Sequence, residues 1–151
     1  MARVATINLV RVATVVALVG FFLVWRSYVI HSGTETHTYH LSGAAIGFSN
    51  TQTKISIGVA FAATLAAFFG ALIQPGESDP QNRLAFAIAL IGSLIAWLCS
   101  ILGVASWKDT LGAGVVIEEH GYPITLIALA IAAGASGISL IGKAAVIRRP
   151  S

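Results

Sequence analysis

The sequence predicts an all-α membrane fold, a four-helix transmembrane bundle with a small extracytoplasmic β element, built as one domain over residues 1–151. Three observations carry that expectation. The composition is 56% hydrophobic and 10% charged with a mean hydropathy of +0.85, too little polar surface for an exterior in water. The apolar residues gather into stretches close to the roughly 20 that a helix needs to cross a hydrocarbon core of roughly 30 Å. Polar and turn-forming residues gather between those stretches.

The first span is placed at residues 4–25. Arg3 and Arg11 ahead of an apolar run resemble a signal peptide, but Trp25-Arg26-Ser27-Tyr28 lacks the small residues that signal peptidase needs, so an uncleaved signal anchor is expected. Arg11 lies inside the span, where its stem can follow the helix while the guanidinium snorkels to the headgroups. The other spans are placed at 55–73, 84–105 and 122–142, with outer segments at 26–54 and 106–121. Between the second and third spans, Gln74-Pro75-Gly76-Glu77-Ser78-Asp79-Pro80 reads as a tight turn, with Asp79 as helix N-cap and Pro80 in the first helical position. Helices joined so briefly are expected to be antiparallel neighbours.

An inside N-terminus places Arg3, Arg11, Arg83, Lys143, Arg148 and Arg149 in or near the cytoplasm, and Arg26, Lys54 and Lys108 outside. The positive-inside rule then favours cytoplasmic N- and C-termini in a plasma (inner) membrane protein. The same orientation puts Trp25, Tyr28, Trp107 and Tyr122 at the outer boundary, where amphipathic rings suit the headgroup level.

Helices in lipid associate through small residues that let their backbones approach. Gly58, Ala62, Ala66 and Gly70 recur at every fourth position of the second span, Gly92, Ala96 and Ser100 in the third, and Ala128, Ala132 and Ser136 in the fourth. These are the candidate packing residues, toward one another or toward another subunit. The cores of these spans contain no Asp, Glu, Lys, Arg or His, which argues against a lone secondary transporter. Thr64, Ser93, Thr125, Ser136 and Ser139 are expected to bond to carbonyls a turn earlier or across a helix interface.

In the first outer segment, Thr36-His37-Thr38-Tyr39-His40-Leu41 alternates as a short strand does, and the glycine-rich Ser42–Phe48 stretch (42–48) is expected to lie against the membrane surface or the helix ends. In the second, residues 112–123 read as a glycine-flanked β-branched strand ending in a turn. Pairing of the two strands would form a small outer sheet. His31, His37 and His40 fall in the first segment, and His120 beside Glu118 and Glu119 in the second. Imidazole and carboxylate together bind zinc or copper and respond to pH, which makes these weak metal candidates. His37 and His40 have the spacing of one helix face, not one strand face, and the only cysteine, Cys99, lies inside an apolar run.

No nucleophile with a base, phosphate-binding loop, paired carboxylates or cofactor signature is visible, so the chain is read as non-enzymatic and without a cofactor. Basic residues scattered at span ends do not form a nucleic-acid surface. The order of parts is similar to that of claudin-like tetraspan proteins, although the first outer segment has no Trp-x-x-Cys pair and no cysteine. Leu41-Ser42-Gly43-Ala44-Ala45-Ile46-Gly47 and Gly112-Ala113-Gly114 with Tyr122-Pro123-Ile124-Thr125-Leu126-Ile127 resemble the small four-span proteins of actinobacteria and their phages, a resemblance that implies no activity. The expected partners are the lipid bilayer and a membrane protein or further copies of the chain. The expected function is contact, as an accessory subunit or scaffold of a membrane complex. The alternatives are a prophage-encoded superinfection exclusion or immunity protein and an oligomeric channel or transporter component.

Overall fold

A computed structural model describes residues 2–32, 34–47, 51–72, 79–106 and 115–147. In chain order these form α1 (Ala2–Gly20), β1 (Val24–Ser32), β2 (Glu35–Ser42), α2 (Gly43–Ile46), α3 (Thr51–Leu72), α4 (Asp79–Ser106), β3 (Val115–Glu118) and α5 (Gly121–Ile147). The chain is mostly helical with one small sheet. Thr51–Leu72, Arg83–Ser106 and Gly121–Ile141 are each long and apolar enough to cross a membrane, and they mark the chain as a membrane protein. The apolar part of α1, Ala5–Gly20, is shorter.

The first span differs from the sequence expectation. The helix stops at Gly20, not at 25, and Val24 already belongs to a strand. Val24–Ser32 reads Val-Trp-Arg-Ser-Tyr-Val-Ile-His-Ser, rich in β-branched and aromatic residues that suit a pleated surface, and hydropathy alone could not separate its apolar start from the end of a span. Thr51 to Lys54, which the sequence assigns to the outer segment, form the first turn of α3. α4 begins at Asp79 and continues to Ser106, and α5 runs from Gly121 past 142 to Ile147. The turn at 74–78 and the glycines Gly112 and Gly114 lie outside the described residues.

α1 packs against α5 and α3, and α4 packs against α3 and α5. The α3–α4 contact is the most extensive of these, and two glycines explain its closeness. A Cβ at Gly70 would stand 2.7 Å from Ile88 Cγ2, and one at Gly92 would stand 2.8 Å from the Ala63 carbonyl oxygen and 3.0 Å from Ala67 Cβ. Neither distance is compatible with a side chain, so the two backbones approach as closely as they do because hydrogen occupies both positions. Ala96 and Ala128 are buried with Ala17 and Leu129, and Ala132 with Val10, Ala13, Ala71, Ala89 and Ala135. Ser100 and Ser136 are fully buried too.

The second-span stripe is divided by the structure. Gly70 is buried, whereas Gly58, Ala62 and Ala66 are exposed, and nothing lies within 4 Å of a Cβ built on Gly58. The face that α3 turns inward carries Thr53, Ile57, Ala60, Thr64, Ala67, Gly70 and Ala71 instead. Both faces have helical spacing and small residues, and only the inward one meets the rest of the chain.

The interior hydroxyls behave in two ways. Thr64 Oγ1 donates to the Ala60 carbonyl at 2.8 Å, Thr125 to Gly121 at 2.8 Å and Ser139 to Ala135 at 3.1 Å, each one turn back. Ser93, Ser100 and Ser136 are buried with no hydrogen-bond partner for their Oγ among the described residues. Arg11 does more than reach outward. Its Nε donates to the Ala71 carbonyl at 2.8 Å, satisfying one of the last carbonyls of α3, and its Nη1 donates to Asn8 Oδ1 at 3.3 Å. A positive charge at a helix C-terminus is favoured by the helix dipole, so Arg11 ties α1 to α3.

Gly92→Leu is expected to lower the unfolding temperature in detergent through overpacking of about 1–3 kcal/mol. Gly58→Ala, on the open face, is expected to leave it unchanged or raise it, since alanine is the better helix former by about 1 kcal/mol. Equal effects of the two would contradict the division of the stripe.

Candidate functional site

The sheet has the order β2-β1-β3, with both pairings antiparallel. The two strands foreseen in the sequence therefore do not pair with each other. β1, which was not foreseen, stands between them. Its register with β2 pairs Val24 with Ser42 and Arg26 with Leu41, leaving Trp25 as the extra residue of a β-bulge. A bulge bends the strand and re-aims its side chain.

The indole of Trp25 is completely buried as a result. Its Nε1 donates to the Gly20 carbonyl at 2.7 Å, capping α1 at its last residue. Its ring centroid lies 5.2 Å from that of Phe21 and 5.3 Å from that of Tyr122. The ring also rests on Gly43, where a Cβ would collide with it, so glycine is needed at the start of α2. The Trp25 carbonyl accepts from Glu119 N–H at 2.9 Å, and Phe21 O accepts from Ala44 N–H at 2.9 Å. Trp25 and Tyr28 are thus core residues, not the headgroup-facing rings that the sequence suggested. The bulge and the packing of a hydrogen-bonded indole override its general preference for the membrane boundary. Trp107 lies outside the described residues.

On this scaffold the polar side chains of three elements converge. Ser27, only 2% exposed, sits in β1 opposite His40 of β2. Its Oγ donates to Glu119 Oε1 at 2.7 Å, just beyond the end of β3. Its Oγ also lies 2.8 Å from His40 Nδ1. The serine has one proton and gives it to the carboxylate, so His40 must be the donor in the second bond, in the tautomer with its proton on Nδ1. The order is imidazole, hydroxyl, carboxylate. The hydroxyl is central and its proton is committed to Glu119, an arrangement suited to tying three strands together. A nucleophilic serine needs the imidazole as acceptor instead.

The remaining histidines do not join this cluster. His37 faces away from His40, as an odd spacing along a strand requires, and its Nε2 pairs with Glu35 Oε2 at 3.4 Å on an exposed surface. His120 is 95% exposed, with Nδ1 3.9 Å from Glu119 Oε2. His31 lies in β1, opposite Thr36. Among the described residues no group of three or more His, Cys, Asp or Glu side chains could hold a metal ion. Ser27 is the residue that sequence reasoning missed. Its partners are 13 and 92 positions away in the chain, so no local spacing advertises it.

The fold and this site define a membrane protein with a small sheet tied across its strands by a buried hydroxyl. No protein-family model matches the chain, and neither a curated protein nor a solved structure is significantly similar to it.

Ser27→Ala is expected to lower stability by about 1–2 kcal/mol, because it removes a buried bond to a charged acceptor. Thermal unfolding with hydrogen exchange at β1 and β3 checks this. Unchanged exchange at Glu119 would contradict the tie.

Proposed function

We propose that the chain is a single four-span transmembrane bundle of the plasma (inner) membrane, with both termini cytoplasmic and the sheet on the outer side, and that it acts by protein contact without catalysing a reaction. In this reading α1 is the fourth crossing. A helix of 19 residues rises about 28 Å, close to a hydrocarbon core of roughly 30 Å, and its neighbours α3 and α5 are each long and apolar enough to span. Phe21 just past the end of α1, Ile57 near the start of α3, Val104 near the end of α4 and Tyr122 at the start of α5 pack with Trp25 and Tyr28 of the sheet, while Arg3, Arg83 and Lys143 lie toward the opposite helix ends and Arg11, at the middle of α1, bonds to the last turn of α3. That distribution supports the orientation.

The observation that carries the contact reading is β2. It is the outermost strand beside β1, and from Glu35 to His40 every residue is exposed. A strand paired on one side only offers its other row of backbone N–H and C=O groups to an added strand, and proteins that do not use such an edge normally blunt it. β2 contains no proline or lysine that would do so. An accessory subunit or scaffold that receives a strand from a membrane-protein partner uses these features directly.

A photo-crosslinking residue at Tyr39, which is 53% exposed, is expected to give one adduct of discrete mass in native membranes, while the same probe at Ile138, which is 73% exposed and distant in sequence, gives none. Absence of adducts from every position along β2 would contradict the reading.

A further inference from the structure

A cavity of about 330 Å³ opens where β3 gives way to α5, lined by Glu119, His120, Tyr122, Pro123 and Leu126. We infer that it binds an alkylammonium group, carried by a lysine side chain or a small primary amine, with the charge at Glu119 Oε2 and the carbon chain over Tyr122 and Leu126. The inference assigns a ligand, and it depends neither on the membrane placement nor on the edge of β2.

The carboxylate of Glu119 is held from behind. Buried Ser27 donates to its Oε1 at 2.7 Å, and His40 holds Ser27 in turn at 2.8 Å. The backbone is fixed as well, since Glu119 N–H donates to the Trp25 carbonyl at 2.9 Å. Oε2 lies on the side of the next lining residue, 3.9 Å from His120 Nδ1. That separation is too long for a hydrogen bond between the two, but it suits a donor placed between them. One ammonium nitrogen about 2.8 Å from each could donate to both, with the imidazole neutral and its proton on Nε2. The network that ties the strands thus also presents one carboxylate oxygen to a cavity in a fixed direction, as a binding site requires.

The same geometry selects among cations. A guanidinium prefers both oxygens of a carboxylate, in a fork of two parallel bonds. Here Oε1 already accepts from Ser27, so an ammonium, which acts as a point charge, is the better match. A divalent metal ion needs more ligands than one carboxylate and one imidazole. The N-terminus of α5 opposes a cation with roughly half a positive charge, and Pro123 contributes no N–H to it. The full charge of Glu119 outweighs it. Tyr122 and Leu126, four apart on α5, stack on one face and give the carbon chain an apolar floor. The Tyr122 ring is backed by Trp25, with centroids 5.3 Å apart, and an aromatic ring itself favours a nearby cation.

The test is nuclear magnetic resonance of the isotope-labelled full chain in mild detergent, titrated with n-butylammonium, n-butylguanidinium or n-butanol. Butylammonium is expected to move the amide signals of Glu119, His120 and Tyr122 saturably, with about fivefold preference over butylguanidinium and about tenfold over butanol. Glu119→Gln keeps an oxygen for Ser27 but loses the charge, and is expected to weaken butylammonium about tenfold. His120→Phe, at a side chain 95% exposed and therefore harmless to folding, is expected to weaken it about threefold by removing the second acceptor. Acetyl-lysine methylamide binding more tightly than butylammonium would support a protein side chain as the source, and weaker binding would support a free amine. Equal shifts with all three butyl probes would overturn the proposal, since the cavity would then take only the apolar chain. So would unchanged butylammonium affinity in both variants.

Discussion

The position of Trp25 is the constraint on which the sheet and its junction with the helices depend. A single extra residue in β1 turns the indole inward, and the ring then meets a partner from every element nearby. It caps α1 through Gly20, requires glycine at Gly43, lies in tilted contact with Phe21 and Tyr122, and accepts Glu119 N–H on its carbonyl. A buried tryptophan contributes the largest apolar area of any residue, and here its polar N–H is also satisfied. The end of α1, the start of α2, the start of α5 and the residue that follows β3 are joined through one residue.

Glycines repeat that logic deeper in the helices. At Gly20 a Cβ would collide with Thr125, at Gly121 it would meet the Val24 carbonyl, and at Gly70 and Gly92 it would separate α3 from α4. Without a hydrophobic drive between helices in lipid, such contacts depend on dispersion between closely approached backbones. Arg11 adds a directional bond at the far end of the same helices. The indole at one end and the guanidinium at the other both end on the last carbonyls of a helix.

The long apolar helices were legible in the sequence because hydropathy and length are properties of a continuous segment. Seven of the ten small residues singled out there, from Gly70 to Ser136, are buried, whereas Gly58, Ala62 and Ala66 point outward. Spacing identifies a face but not what the face meets. The end of the first helix was not legible, because Phe21 to Trp25 is equally apolar as helix or as strand. The inward turn of Trp25 depends on a bulge that only the pairing register creates. The Ser27 cluster was hidden for a related reason, since it exists only after β1 has come between two strands that the sequence alone suggested would pair directly. Local periodicity reports elements, and register and long-range closure decide what those elements bring together.

The most direct measurement of Trp25 as the anchor is hydrogen exchange, segment by segment, on Trp25→Leu in the same detergent as the wild type. The account predicts coordinated loss of protection in β1, β3, α2 and the last turn of α1, with α3 and α4 still protected along their shared face. Loss confined to the residues next to position 25, with β3 and α2 as protected as before, would contradict it.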